Sequence, residues 1–96
     1  MHPAVYILAN KSNRVLYIGV TSNLANRMRV HIRHLSPESF SDRYNVTRLV
    51  YYERLPTMWA AIAREKQLKG GSRADKVRLV ERSNPDWRDL ASALRG

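Results

Sequence analysis

Three side chains with chemistry to offer lie close together in LYIGVTSNLANRMRVHIRH, residues 16–34: the phenol of Tyr17, the guanidinium of Arg27 and the imidazole of His31. Arg27 and His31 are four positions apart, so on a helix they point the same way, separated by one turn. A guanidinium grips oxyanions through a planar fork, and an imidazole titrates near neutral pH, so the pair suits a site that holds phosphate and handles a proton. Each residue also has an ordinary explanation. Strand tyrosines are commonly sheet-face residues, and a helix arginine or histidine in a basic chain is commonly solvated. Whether the three form one site depends on what converges on them from elsewhere in the chain.

The residue that breaks its local pattern is Glu65. Met58, Ala61, Ile62 and Leu68 mark the inward stripe of a helix at offsets of three, four and ten, and Glu65 falls on that stripe at offset seven. A carboxylate on an inward face is costly unless a cation, a metal or hydrogen bonds meet it. One reading is an ion pair with Lys69 one turn on, or a side chain that snorkels to solvent. The other is a ligand to a hard divalent cation, which takes carboxylate oxygens.

The elements that must position these residues are legible. AVYILA (4–9) and VLYIGV (15–20) are rich in β-branched and aromatic types, with the turn formers NKSN between them, and predict a β-hairpin. With Ala9 facing Arg14 across a four-residue loop, Tyr6 faces Tyr17 on the same side of the sheet. Thr21 or Ser22 can cap a helix over about 23–34, with Leu24, Met28, Ile32 and Leu35 as its apolar stripe. Residues 36–45 read as a polar loop, and TRLVYYER (47–54) as a third strand pairing with the hairpin. Pro56 and Thr57 introduce a helix over about 57–69, stopped by Gly70 and Gly71, where a left-handed cap is easiest. Ser72 starts another over about 73–82. Asn84 and Pro85 read as the N-cap and first position of a last short helix through Trp87 and Leu90. The expectation is an α+β fold, a small three-stranded antiparallel sheet flanked by helices, as a single domain over residues 1–96.

Composition narrows the function. Seventeen Lys and Arg against eight Asp and Glu give a net charge of +9, which points to a polyanionic partner. No acidic residue occurs from Met1 to Pro37, while Lys11, Arg14, Arg27, Arg29 and Arg33 supply five positive charges there. A second basic stretch over 64–82 carries Arg64, Lys66, Lys69, Arg73, Lys76, Arg78 and Arg82 against three acids. The chain has no cysteine, which excludes disulfides and thiolate zinc sites and fits a cytoplasmic protein. Its apolar runs are too short for a secretory signal or a membrane span.

Taken together, these residues resemble the GIY-YIG endonuclease superfamily, and closely its small stand-alone bacterial members. The YIG is literal as Tyr17-Ile18-Gly19, and Ala4-Val5-Tyr6 stands where the first motif belongs, with ten residues between the two tyrosines. Arg27 and His31 on the next helix, Glu65 in AIAREKQLKG and Asn84 in NPDWRDL fall at the family's other motif positions, so the resemblance spans nearly the whole chain. The departure is that Ala4 and Val5 replace the first motif's Gly and Ile.

The resemblance implies a phosphodiester-cleaving site that uses one divalent ion, Mg²⁺ or Mn²⁺, and because phosphate contacts carry no sequence information the expected activity is a DNA endonuclease that is structure-selective or weakly sequence-specific. In-line attack of water on a phosphodiester needs a base, cations for the growing negative charge, and help for the departing oxygen. Glu65 is then the metal ligand and Arg27 the phosphate grip. One of Tyr6 and Tyr17 meets the attacking water and the other orients a phosphate or its neighbour; the sequence does not say which is which, and Tyr6 is the preferred base, passing its proton to neutral His31. Asn84 supports the site, Tyr44 is a rim contact, and Arg14, Arg33, Lys66, Lys69 and Arg73 contact the flanking nucleic acid, DNA rather than RNA. The alternatives are a catalytically idle nucleic-acid-binding module of the same fold, acting with a partner, and an RNA-associated protein using Tyr51 and Tyr52 as stacking groups. Oligomeric state has no signature in the sequence.

Overall fold

The computed structural model describes residues 2–32 and 46–94, with side chains described throughout except at 30–32, 46–47 and 92–93. Among the described residues the elements run β1 (Ala4–Asn10), β2 (Leu16–Thr21), α1 (Leu24–Ile32), β3 (Val46–Arg54), α2 (Met58–Gly70), α3 (Arg73–Ser83) and a 3₁₀ helix (Leu90–Leu94). The strands form a three-stranded antiparallel sheet in the order β2-β1-β3, flanked by the helices, which is the expected α+β architecture.

β1 is the centre of the molecule because it has no polar residue from Ala4 to Ala9. All six are buried, which requires cover on both faces of the sheet. On one face Ala4, Tyr6 and Leu8 pack with Leu24 and Met28 of α1 and with Leu49, and Leu90, Ala91 and Leu94 of the 3₁₀ helix close over them. On the other, Val5, Ile7 and Ala9 pack with Ile18, Val50, Leu68 of α2 and Val80 of α3.

The hairpin register differs from the expected one by two residues. Ala9 pairs with Leu16 rather than Arg14, Leu8 with Tyr17, and Tyr6 with Gly19. The cause is the Asn10 side chain, whose carbonyl oxygen accepts the N–H groups of Arg14 (2.9 Å) and Val15 (3.0 Å) and so lengthens the turn. Asn13 supplies the left-handed turn residue with φ of 60°. A shift of two preserves the face, so Tyr6 and Tyr17 remain on the same side of the sheet as diagonal rather than direct neighbours.

Helix boundaries carry further corrections. α1 is started by Asn23, not by Thr21 or Ser22: the Asn23 side chain accepts the Asn26 N–H at 3.1 Å, and Thr21 Oγ1 is occupied by the Asn23 N–H. Leu24 and Met28 are buried as expected. Leu35, Arg33, Tyr44 and the 36–45 loop lie outside the described residues. Thr57 caps α2 by accepting the Ala60 N–H. At its far end no glycine adopts a positive φ. Gly71 instead is extended, at φ −83° and ψ 170°, and leads into the Ser72–Asp75 capping box of α3.

Asn84 is not the start of a last helix but the end of α3, where its N–H donates to the Val80 carbonyl. Its side chain is buried and answers an irregularity in the sheet. Ile7 and Leu8 of β1 pair with Tyr51 and Leu49 of β3, which leaves Val50 as the extra residue of a bulge. Asn84 Nδ2 donates to the Val50 carbonyl at 3.0 Å and to the Arg88 carbonyl at 2.9 Å, and its Oδ1 accepts the Arg88 N–H at 3.0 Å. Pro85 and Asp86 then form a turn, and the 3₁₀ helix begins only at Leu90.

Candidate active site

The site is built around Tyr6. Its ring lies across Gly19 of the neighbouring strand, so close that a Cβ at residue 19 would overlap its Cζ, hydroxyl oxygen and Cε2. The glycine of YIG is therefore a steric requirement of the tyrosine on β1, a reason that the tripeptide by itself does not reveal. Tyr17, two residues before Gly19 and on the same face, brings its ring centroid to 6.3 Å from that of Tyr6 at an interplanar angle of 48°. Tyr52 of β3 faces Tyr6 from the other side, and the Arg54 guanidinium lies 5.4 Å from the Tyr52 ring centroid.

Four elements meet electrostatically at the Tyr6 hydroxyl. Burial pushes its pKa up to about 12, the nearby Tyr17 and the Glu65 carboxylate push in the same direction, and the Arg27 guanidinium pulls it down. Tyr6 from β1, Tyr17 from β2, Arg27 from α1 and Glu65 from α2 thus share one neighbourhood. Arg27 is exposed, Tyr17 half-buried and Tyr6 only 3% exposed. His31 follows Arg27 by one turn within α1. Its side chain lies outside the described residues.

The raised pKa bears on the expected division of labour. A phenol at about 12 keeps its proton at neutral pH, so in the free protein Tyr6 is a hydrogen-bond donor, and the expected role as base requires positive charge brought by a ligand. The half-buried Tyr17 is the tyrosine that solvent can approach.

Glu65 sits on the inner side of α2 with its side chain 18% exposed, and Lys69 Nζ lies 3.3 Å from Oε2. The ion pair that the sequence offered as one reading therefore exists, and it occupies the carboxylate without walling it off. Met58, expected on the same inward stripe, is instead 36% exposed, because the first turn of α2 runs past the edge of the core; Ala61 and Leu68 are the residues of α2 that are buried. Among the described residues no three His, Cys, Asp or Glu side chains cluster as a metal cage. The donor set here is one partly exposed carboxylate, which fits a Mg²⁺-type ion that keeps most of its water and takes its other ligands from a phosphate.

With that geometry in place, comparison with known proteins is decisive. Residues 2–78 match the GIY-YIG catalytic domain. The chain belongs to the GIY-YIG family. A UPF0213 protein of Syntrophus aciditrophicus (strain SB) is 32% identical over 82 residues, covering 85% of this chain and 92% of the relative. The solution NMR structure of a UPF0213 protein from Bacillus halodurans superposes with a TM-score of 0.59 at 26% identity, covering 94% of each chain. In this GIY-YIG domain the replacement of the first motif's Gly by Ala4 is accommodated inside the core, where Ala4 is fully buried opposite Thr21 and Arg54.

The basic residues of this GIY-YIG domain are distributed differently from a simple cradle. Arg73 donates to the backbone carbonyls of Asn13 and Arg14, tying α3 to the hairpin turn. Arg64 holds Glu53 (3.0 Å), which also accepts the Tyr51 hydroxyl at 2.6 Å, so this triad fastens α2 to β3. Lys76 donates to the Gly71 carbonyl and Arg78 pairs with Asp75. Lys66 makes no ion pair among the described residues, and Arg14 is exposed. Arg48, not singled out by the sequence reading, links the Trp87 carbonyl (2.8 Å) to the Asn10 carbonyl (2.7 Å), and so joins the C-terminal segment to the hairpin. Among the described residues no helix is long and apolar enough to cross a membrane.

Proposed function

We propose that this protein is a divalent-metal-dependent endonuclease that hydrolyses phosphodiester bonds in DNA with little sequence specificity. The observation that carries the reading is the convergence of Tyr17, Arg27 and Glu65 on the buried Tyr6 hydroxyl from three different elements. Membership of the GIY-YIG family supports the same conclusion. A binding module would have no need for a tyrosine pair, a guanidinium and a partly buried carboxylate in one place.

In this reading Arg27 grips a non-bridging phosphate oxygen through its fork and stabilises the charge that grows there in the transition state. Tyr6 keeps its proton and donates to the phosphate or the attacking water. Tyr17 meets that water, and His31 accepts the proton it releases. Glu65, now paired with Lys69, would hold Mg²⁺ or Mn²⁺, and the ion would supply Lewis acidity to the reacting phosphate. Arg14, Arg33 and Lys66, with Lys69 and Arg73 once released from their internal partners, follow the flanking backbone. Such phosphate contacts carry no sequence information.

The test is cleavage of supercoiled, single-stranded and branched DNA, and of RNA, in Mg²⁺, Mn²⁺ or EDTA. The expected result is metal-dependent cutting of DNA that Glu65→Ala abolishes. DNA binding without cleavage in any of these conditions identifies an idle binding module instead.

A further inference from the structure

The largest unburied apolar group among the described residues is Trp59, 85% exposed in the first turn of α2, next to the partly exposed Met58. Tryptophan is highly buried on average, and it is only a middling helix former, so neither packing nor propensity accounts for an indole in water here. The other tryptophan, Trp87, is half-buried and donates its indole N–H to Glu81 at 3.0 Å.

At 100° per residue, Trp59 shares one face of α2 with Ala63, Lys66 and Gly70, all exposed. Ala63 and Gly70 leave that face low, and Lys66 puts a cation on it. The first turn carries no acidic residue, and its N–H groups add a positive field. Trp59 lies six residues before Glu65, about 9 Å along the helix axis and about 120° around it, so the outward indole stands at least two to three base steps from the inward carboxylate.

We propose that Trp59 is a stacking platform for an unpaired nucleobase of the substrate, with Lys66 holding the adjoining phosphate. The proposal rests on the reading that nucleic acid is the ligand, and it narrows the substrate to DNA with single-stranded or frayed nucleotides beside the cut. Base faces are hidden inside a duplex and become available only where pairing is lost.

The test is quenching of tryptophan fluorescence by an oligothymidylate in EDTA, where a metal-dependent enzyme does not cut. A chain of the same number of phosphates without bases is the control, and Trp59→Phe protein, which retains only Trp87, gives the background. Quenching by the oligothymidylate, weaker quenching by the base-free chain and by duplex, and its loss in Trp59→Phe are expected. Trp59→Ala should weaken oligothymidylate binding about tenfold, within the range for losing one stacking aromatic, while leaving affinity for the base-free chain unchanged. Equal affinity and quenching with the base-free chain would overturn the proposal in favour of charge alone. So would an indole signal that changes with protein concentration and tracks a dimer in sedimentation, which would make this face a contact between copies. Stacking without cleavage in the companion metal assay would leave the platform standing and remove the nuclease reading.

Discussion

The Tyr6 phenol occupies the space that a side chain on Gly19 would need. Adding one methyl there must push the ring off its position between Tyr17 and Tyr52, because the strands on either side are fixed by the ladder. Gly19→Ala is expected to cost about 1–3 kcal/mol, the usual range for overpacking, and to reduce cleavage far more than the loss of stability explains. A double-mutant cycle with Tyr6→Ala checks the cause. If the ring is the obstacle, Gly19→Ala becomes nearly neutral in the Tyr6→Ala background, with a coupling of about 0.5–3 kcal/mol.

The electrostatic neighbourhood can be read directly from the same phenol. Burial is the main reason that Tyr6 titrates at about 12, with Tyr17 and Glu65 raising it and Arg27 lowering it. Glu65→Gln should therefore shift the Tyr6 titration to lower pH, and Arg27→Gln should shift it higher. The measurement is phenolate absorbance against pH, with Tyr6→Phe identifying the signal. No movement in either variant would mean that the two groups do not share the site.

Much of this was legible in the sequence because the relevant signals are local. The apolar run AVYILA, the offset-seven position of Glu65 and the four-residue spacing of Arg27 and His31 each follow from one element's periodicity. What failed depended on side chains reaching backbone across a turn or a sheet. Asn10 set the hairpin register, Asn23 took the cap, and Asn84 went to a bulge in β3 that no pattern within residues 84–90 could announce. The exposure of Trp59 was available from its place off the inward stripe. Its meaning was not, since a stripe says where a residue points and not what it meets.

Lys69 sits where a cation bound to Glu65 would compete with it. Because Lys69 is more than half exposed, losing the pair should scarcely affect stability. Lys69→Gln is expected to lower the Mg²⁺ or Mn²⁺ concentration needed for half-maximal cleavage, while weakening DNA binding at low salt. A metal requirement that is unchanged would place the ion elsewhere.

Asn84 should behave as a structural residue. Asn84→Ala leaves the buried Val50 carbonyl without its side-chain donor, at a cost of about 1–3 kcal/mol for the unpaired group. Asn84→Asp, nearly the same shape, should be worse, since it sets a carboxylate oxygen against the Val50 and Arg88 carbonyls. Thermal unfolding distinguishes this from a role in the chemistry: both variants should lose stability, and the cleavage that survives well below the midpoint should keep its metal and pH dependence.

Alkaline pH offers a test of the fold around both tyrosine clusters. Tyr6 is raised to about 12 mainly by burial and then by Tyr17, and Tyr51 to about 12 by burial and then by its hydrogen bond to Glu53. In each case the fold favours the neutral phenol. The stability this represents is fully present below the unfolded value of about 10. It declines as the unfolded chain ionises, and is gone once pH passes about 12. For the buried Tyr6 the slope over that interval approaches one proton, about 1.4 kcal/mol per pH unit. Tyr51, more open to solvent, should contribute less. Denaturant midpoints measured from pH 8 upward, an interval of about two units below the first ionisation, should stay level and then fall, and the fall should be shallower by about one proton in Tyr6→Phe. An unaltered slope in that variant would mean that the phenol is not held in the buried position over Gly19.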